Sequence, residues 1–188
     1  MTFDTFTGDA ATVVTGVAAA LCLTCGPAFR NRQAILGAQL CAGACFVAHY
    51  LCLGITVAAA ANVLGLVQTA AAIFAARSAS MTRVGYALIG LMVLSGLYFW
   101  QGPISGLSVL AMTLIALGRM QKDVVRLRLL LLSGGVVWMV HDVIAAAWFA
   151  LAADIGAFTV GLSALLLMYV RVRVEWRPPA HPTFAAAV

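Results

Sequence analysis

The chain has 188 residues, 64% of them hydrophobic and only 9% charged, with a mean hydropathy of +1.05. A soluble domain is about half apolar and about a quarter charged, so water is not the only solvent of this protein. The net charge of +5 is not a nucleic-acid footprint, because the basic residues sit beside apolar runs, where they set orientation and meet anionic lipid headgroups.

A bilayer core of roughly 30 Å takes about 20 helical residues. The first candidate span, 10–29, follows Asp4 and Asp9 and precedes Arg30 and Arg32. It lacks a basic segment ahead of it, so it reads as a retained span and not a cleaved leader. The second, 34–54, carries His49, and the third, 56–76, opens on small residues that lead to Asn62. Arg77 and Arg83 separate it from a short fourth span, 84–100. The fifth, 103–119, ends at the cluster Arg119, Lys122, Arg126 and Arg128. The sixth, 128–149, holds His141 and Asp142, and the seventh, 152–170, holds Asp154 before Arg171, Arg173 and Arg177. Basic clusters stay on the cytoplasmic side. Each cluster is separated from the next by two spans, except before the first, so seven spans put the N-terminus outside and the C-terminus inside. Tyr169 and Trp176 suit an interfacial aromatic belt. The prolines from Pro178 onward block a helix, which predicts a mobile cytoplasmic tail over 178–188 with His181 solvated in it.

Shifted by 92 residues, the chain falls on itself without a gap. Gly26 meets Gly118, Asn31 meets Asp123, Gly43 meets Gly135, His49 meets His141 and Asn62 meets Asp154. The chain has three histidines in all, so two of them coinciding, each thirteen residues before Asn or Asp, outweighs matches between alanines. The expected fold is an all-α integral membrane protein with seven transmembrane helices in a 3+1+3 plan. Residues 1–177 form one membrane domain, in which 10–76 and 103–170 are two parallel triple-helix repeats and 84–100 is the linking helix. A pseudo-two-fold axis along the membrane normal then follows, as in transporters built from parallel repeats.

At 1.5 Å per residue, His49 and Asn62 sit roughly 6–9 Å below one membrane face, and His141 and Asp154 repeat the arrangement. The axis brings the four toward a shared centre. Ionisable groups at such depth usually face a bundle interior or a pathway, and His titrates near neutral pH. The four residues are therefore the candidate substrate-binding set, with Asp154 beside His141 as a pair able to share a proton. The bland reading is structural: polar side chains fasten membrane hairpins at about 0.6–2 kcal/mol each. Asp142 lies about 100° around the helix from His141 and is expected at the surface, outside the cluster. Cysteines 22, 25, 41, 45 and 52 have no counterparts in the second repeat and read as small buried residues, so no metal and no cofactor is expected. Gln68 and Thr69 lie deeper in the third span and are open to extending a polar path, although such side chains in membrane helices mostly bond locally; Pro27 is a candidate kink. No phosphate loop, nucleophile elbow or zinc-protease motif occurs, so the chain is not read as an enzyme.

Arg30-Asn31-Arg32 after the first span, Ala48-His49 in the second, the run Trp138-Met139-Val140-His141-Asp142 and Asp154 resemble the YgjV-type bacterial inner-membrane proteins over most of 10–173. That family is distantly similar to the SWEET and PQ-loop proteins, whose triple-helix repeats form a transport pathway. The resemblance implies a multi-pass location in the bacterial inner membrane, and makes Asn62 and Asp154 the counterparts of pocket-lining residues on the third helix of each repeat. The chain departs from that superfamily at Pro27-Ala28, where the Pro-Gln dipeptide is absent. The expected function is a carrier for a small polar solute by alternating access, with proton coupling open to the histidines and Asp154. The alternative is a scaffold or receptor-like membrane protein in which the four residues are structural. Membrane lipid and the solute are the expected partners, homo-oligomerisation is open, and no nucleic acid is expected.

Overall fold

The computed structural model describes the backbone of residues 10–175 and the side chains of 10–56, 58–148 and 150–170. Asp4, Asp9, Trp176, Arg177, His181 and the rest of the tail lie outside the described residues. Within them the chain is all-helical, with seven helices long and apolar enough to cross a membrane. They are α1 (Ala10–Cys25), α2 (Arg32–Cys52), α3 (Thr56–Ala75), α4 (Ala79–Tyr98), α5 (Pro103–Met120), α6 (Val124–Ile144) and α7 (Trp148–Glu175).

Local chemistry sets the boundaries. Gly26-Pro27-Ala28 form a single 3-10 turn after α1; Pro27 lacks the N–H that would continue the helix, so it ends α1 instead of kinking it. Asn31, Ser78 and Asp123 each start a helix by accepting the amide of the third residue on, from Ala34 at 2.7 Å, Met81 at 3.3 Å and Arg126 at 2.8 Å. The Ser78 cap starts α4 at Ala79, so the fourth helix has 20 residues and is not the short span expected over 84–100. It reaches back past Arg83 to the cap.

α2 and α3 are joined by a tight turn. Gly54 (φ 72°) is left-handed, the Gly54 amide donates to Leu51 O at 3.0 Å, and the Ile55 amide donates to Tyr50 O at 2.9 Å. This is a Schellman ending. The α6–α7 turn is built alike, with Ala146 (φ 53°) in the glycine's place and the Ala147 amide on Asp142 O at 2.8 Å. The expected span 128–149 ran across this turn. The helix instead ends at Ile144; Ala145-Ala146-Ala147 carries neither glycine nor proline, so the sequence does not announce the stop. Both ends of α2 and α6, and the starts of α3 and α7, stand 92 residues apart.

The helices α1, α2 and α3 pack in sequence, as do α5, α6 and α7; α7 returns to α1, and α3 touches α5. These six close a ring. α4 stands outside it, against α3 and α5. A Cβ on Gly85 of α4 would fall 2.6 Å from Met120 Sδ, so the helix seats on α5 where it has no side chain. The fully packed core, including Ile35, Leu36, Ala72, Ile89, Ala116 and Leu127, fills the end of the ring that carries the basic residues. The outer faces show Leu21, Leu94 and Leu167, as expected where lipid is the solvent. Tyr98 ends α4 and Phe99 and Trp100 follow it, all exposed.

Candidate functional site

Above that core the ring is hollow. A cavity of about 780 Å³ is lined by α1, α2, α3, α5, α6 and α7, with Met92 the one lining residue from α4. All four residues singled out by the sequence, His49, Asn62, His141 and Asp154, line it. Asn62 and Asp154 are each the seventh residue of their helix, so they enter the wall at one depth. Among the described residues no hydrogen bond joins any of the four to another.

Their local bonds differ. His49 donates from Nδ1 to Thr12 O at 2.9 Å, which fastens α2 to α1. Gly16, one turn along α1 from Thr12, leaves room for the ring: a Cβ there would meet His49 Cε1 at 2.9 Å. Asn62 donates from Nδ2 to Ala58 O of its own helix at 2.9 Å. His141 contacts Asp142 Oδ1 through Nδ1 at 3.0 Å and stands edge-on to Trp138, ring centroids 5.0 Å apart. The expected His141–Asp154 pair is therefore replaced by His141–Asp142.

Asp142 corrects the expectation most sharply. It lines the cavity, is only 3% exposed, and lies within electrostatic reach of Asp154 and the Tyr50 hydroxyl. Its Oδ2 is buried with no hydrogen-bond partner among the described residues. The angle between neighbouring residues on a helix does not say how wide an arc faces inward. Here both His141 and Asp142 fall within that arc. This part of the cavity thus holds two imidazoles, two carboxyls, an amide and a phenol, and Gln39, Thr69, Arg119 and Arg128 add to the polar lining.

Three arginines were read as an orienting signal and turn out to be part of the interior. Arg119 lines the cavity, donating from Nε to Gln39 Oε1 at 2.7 Å and from Nη1 to Gln68 Oε1 at 3.3 Å. Gln68 is fully buried and its amide donates across to Ala116 O at 3.1 Å, so it does not bond locally as expected; Thr69 does, to Gly65 O at 2.8 Å. Arg32 and Arg128 are 7% and 3% exposed. Arg32 of α2 donates to Gln121 O at 2.7 Å, Arg119 O at 2.9 Å and Ala72 O at 2.7 Å. Arg128 of α6 donates to Pro27 O at 2.5 Å and to Phe29 O. Arg32 is the first residue of α2 and Arg128 the fifth of α6; they satisfy carbonyls left open at the end of α5 and in the turn after α1, and Arg32 also reaches the last turn of α3. They form two reciprocal straps across the basic end of the ring. The signal for them was the spacing: an arginine within the first turn or two of an apolar helix has its guanidinium inside or at the rim, according to which face it takes.

The five thiols are free, and among the described residues no group of three or more His, Cys, Asp or Glu side chains is placed to hold a metal ion. No curated protein and no solved structure matches the chain. A family model described as "Bacterial inner membrane protein" matches residues 9–172. The chain belongs to this Imp-YgjV family and, with seven helices long and apolar enough to cross a membrane, is a multi-pass protein of the bacterial inner membrane.

Proposed function

We propose that the protein is a carrier for a small polar solute, working by alternating access between two parallel bundles, α1–α3 and α5–α7, linked by α4. One observation carries the reading: a cavity of about 780 Å³ inside a ring of apolar helices, with His49, His141, Asp142 and Asp154 in its wall. Burying so many ionisable groups costs free energy in lipid, and a packed scaffold has no need of a hollow to bury them in. The shared 92-residue offset of helix ends, caps and turns supports a duplicated unit. The basic clusters gather at one end of the bundle, which supports a cytoplasmic assignment of that end and an outside N-terminus. Arg32 and Arg128 then strap the cytoplasmic side shut, and the solute enters from the histidine side. Two carboxyls and two imidazoles in one cavity give protons a place to bind and leave, which suits proton coupling.

Uptake into liposomes tests this. Asp154→Asn and His141→Ala each reduce flux at least tenfold, and a protonophore abolishes accumulation driven by an imposed proton gradient. Unchanged uptake in both variants removes the site. The His49–Thr12 bond, which is structural by geometry, favours a second reading as a scaffold or receptor-like protein. Under that reading the same variants lose thermal stability and show no defect in flux or ligand binding.

A further inference from the structure

The cavity is charged at two levels, and neither level is neutralised by the other. Arg119 lines the wall at the level of Gly65 and Gln68. Its Nε and Nη1 are held by neutral oxygens, Nη2 has no hydrogen bond among the described residues, and the one ion pair there joins His141 and Asp142. A guanidinium enclosed by apolar helices without an anion is costly. At the other level, Asp142 and Asp154 approach each other side chain to side chain, and Asp142 Oδ2 is buried without any other hydrogen-bond partner among the described residues. There, acceptors outnumber donors. Several neutral polar groups are already engaged: the Asn62 amide on Ala58 O, the Gln68 amide on Ala116 O, and the Gln39 oxygen on Arg119. The charged groups of opposite sign stand apart, which favours a solute with separated charges over a polyhydroxylated one.

The geometry points to a zwitterion as the occupant: a small solute whose carboxylate meets Arg119 Nη2 and whose ammonium meets the Asp142–Asp154 pair. This rests on the carrier reading and names its substrate class. Gly65 and Gln68 follow Asn62 by three and six residues on α3, a rise of about 5–9 Å, and Asp154 shares the depth of Asn62. With a hydrogen bond of about 2.8 Å at each end, that span admits an amine and a carboxylate on one small solute. An ammonium ion supplies the donors that Oδ2 lacks, and a carboxylate supplies the counterion that Arg119 lacks.

The test uses the purified full chain in detergent, with thermal shift and equilibrium binding as readouts. The probes are glycine, β-alanine, γ-aminobutyrate, butyrate, butylamine and glucose. Glycine, β-alanine or γ-aminobutyrate stabilises the protein, and butyrate, butylamine and glucose bind at least tenfold more weakly. Asp142→Asn lowers zwitterion affinity at least tenfold and leaves butyrate affinity within about twofold, a split that a folding defect does not produce. Where Arg119→Gln does not fold, Arg119→Lys retains the charge, keeps binding measurable and loses the preference for the planar carboxylate. Equal binding of butyrate or glucose, or an Asp142→Asn variant with unaltered selectivity, overturns the zwitterion assignment. Uptake of glucose that Asp154→Asn stops overturns it too, while the carrier reading stands. Tight zwitterion binding without flux into liposomes supports the assignment and overturns the carrier reading.

Discussion

Gly16 and His49 illustrate how single side chains set the cavity wall. The imidazole bridges α1 and α2 only because the facing position on α1 has no Cβ; one placed there would lie 2.9 Å from the ring. Gly16→Val is expected to destabilise the protein by about 1–3 kcal/mol, the usual cost of overpacking, read by thermal unfolding in detergent. Adding His49→Ala removes the clash, so the double variant is less destabilised than the sum of the two singles. His49 and His141 could be picked out from sequence because an imidazole in an apolar run is conspicuous. Asp142 could not be placed, because its neighbour on the helix seemed to claim the interior and the width of the inward arc depends on helices packed around it. Arg119 was hidden for another reason. Its Cα sits with a basic cluster, and only its long side chain carries the charge to the level of Gly65 and Gln68.

Helices and their ends were legible where they carry an explicit stop. Gly54 marks the end of α2, and Pro103 opens α5. The matching end of α6 was overrun, because three alanines form a turn whose middle residue occupies the left-handed region. That conformation costs an L-residue about 1–2 kcal/mol relative to right-handed backbone, and glycine avoids it. Ala146→Gly is therefore expected to raise stability by about 0.5–1 kcal/mol, and Gly54→Ala to lower it by a similar amount. Thermal midpoints of the two variants, measured in one detergent, check the pair of opposite signs. Ser78 was missed as a start because Arg83 appeared to bar the helix from the membrane. A snorkelling arginine at a helix end is compatible with both.

For the bundle as a whole, composition and charge order gave the solvent and the number of spans, and the 92-residue offset gave equal depth to Asn62 and Asp154. The hollow was not legible, since apolar periodicity reports which faces avoid water and not how far apart helices stand. Nor were the arginine straps, which depend on carbonyls brought together from distant hairpins. Among the described residues Arg32 Nη1 and Arg128 Nε are buried without partners, so each strap is incompletely satisfied and cheaper to break than a saturated one. With both arginines replaced by leucine, the basic end is expected to open more often. In a background without native cysteines, Thr69→Cys on the cavity wall then reacts several-fold faster with an impermeant thiol reagent applied from that end. No change in the labelling rate would mean that the straps are ornamental to closure.

The placement of α4 has a mechanical corollary. It buttresses the junction of α3 with α5, whereas among the described residues the junction of α1 with α7 has no helix behind it. Under the carrier reading, the buttressed side is expected to pivot and the bare side to gape. Gly156 faces Thr24 across the bare side, where a Cβ would sit 3.5 Å from Thr24 Cγ2. A tether made by oxidising Thr24→Cys with Gly156→Cys, again without native thiols, is expected to arrest flux until a reductant releases it.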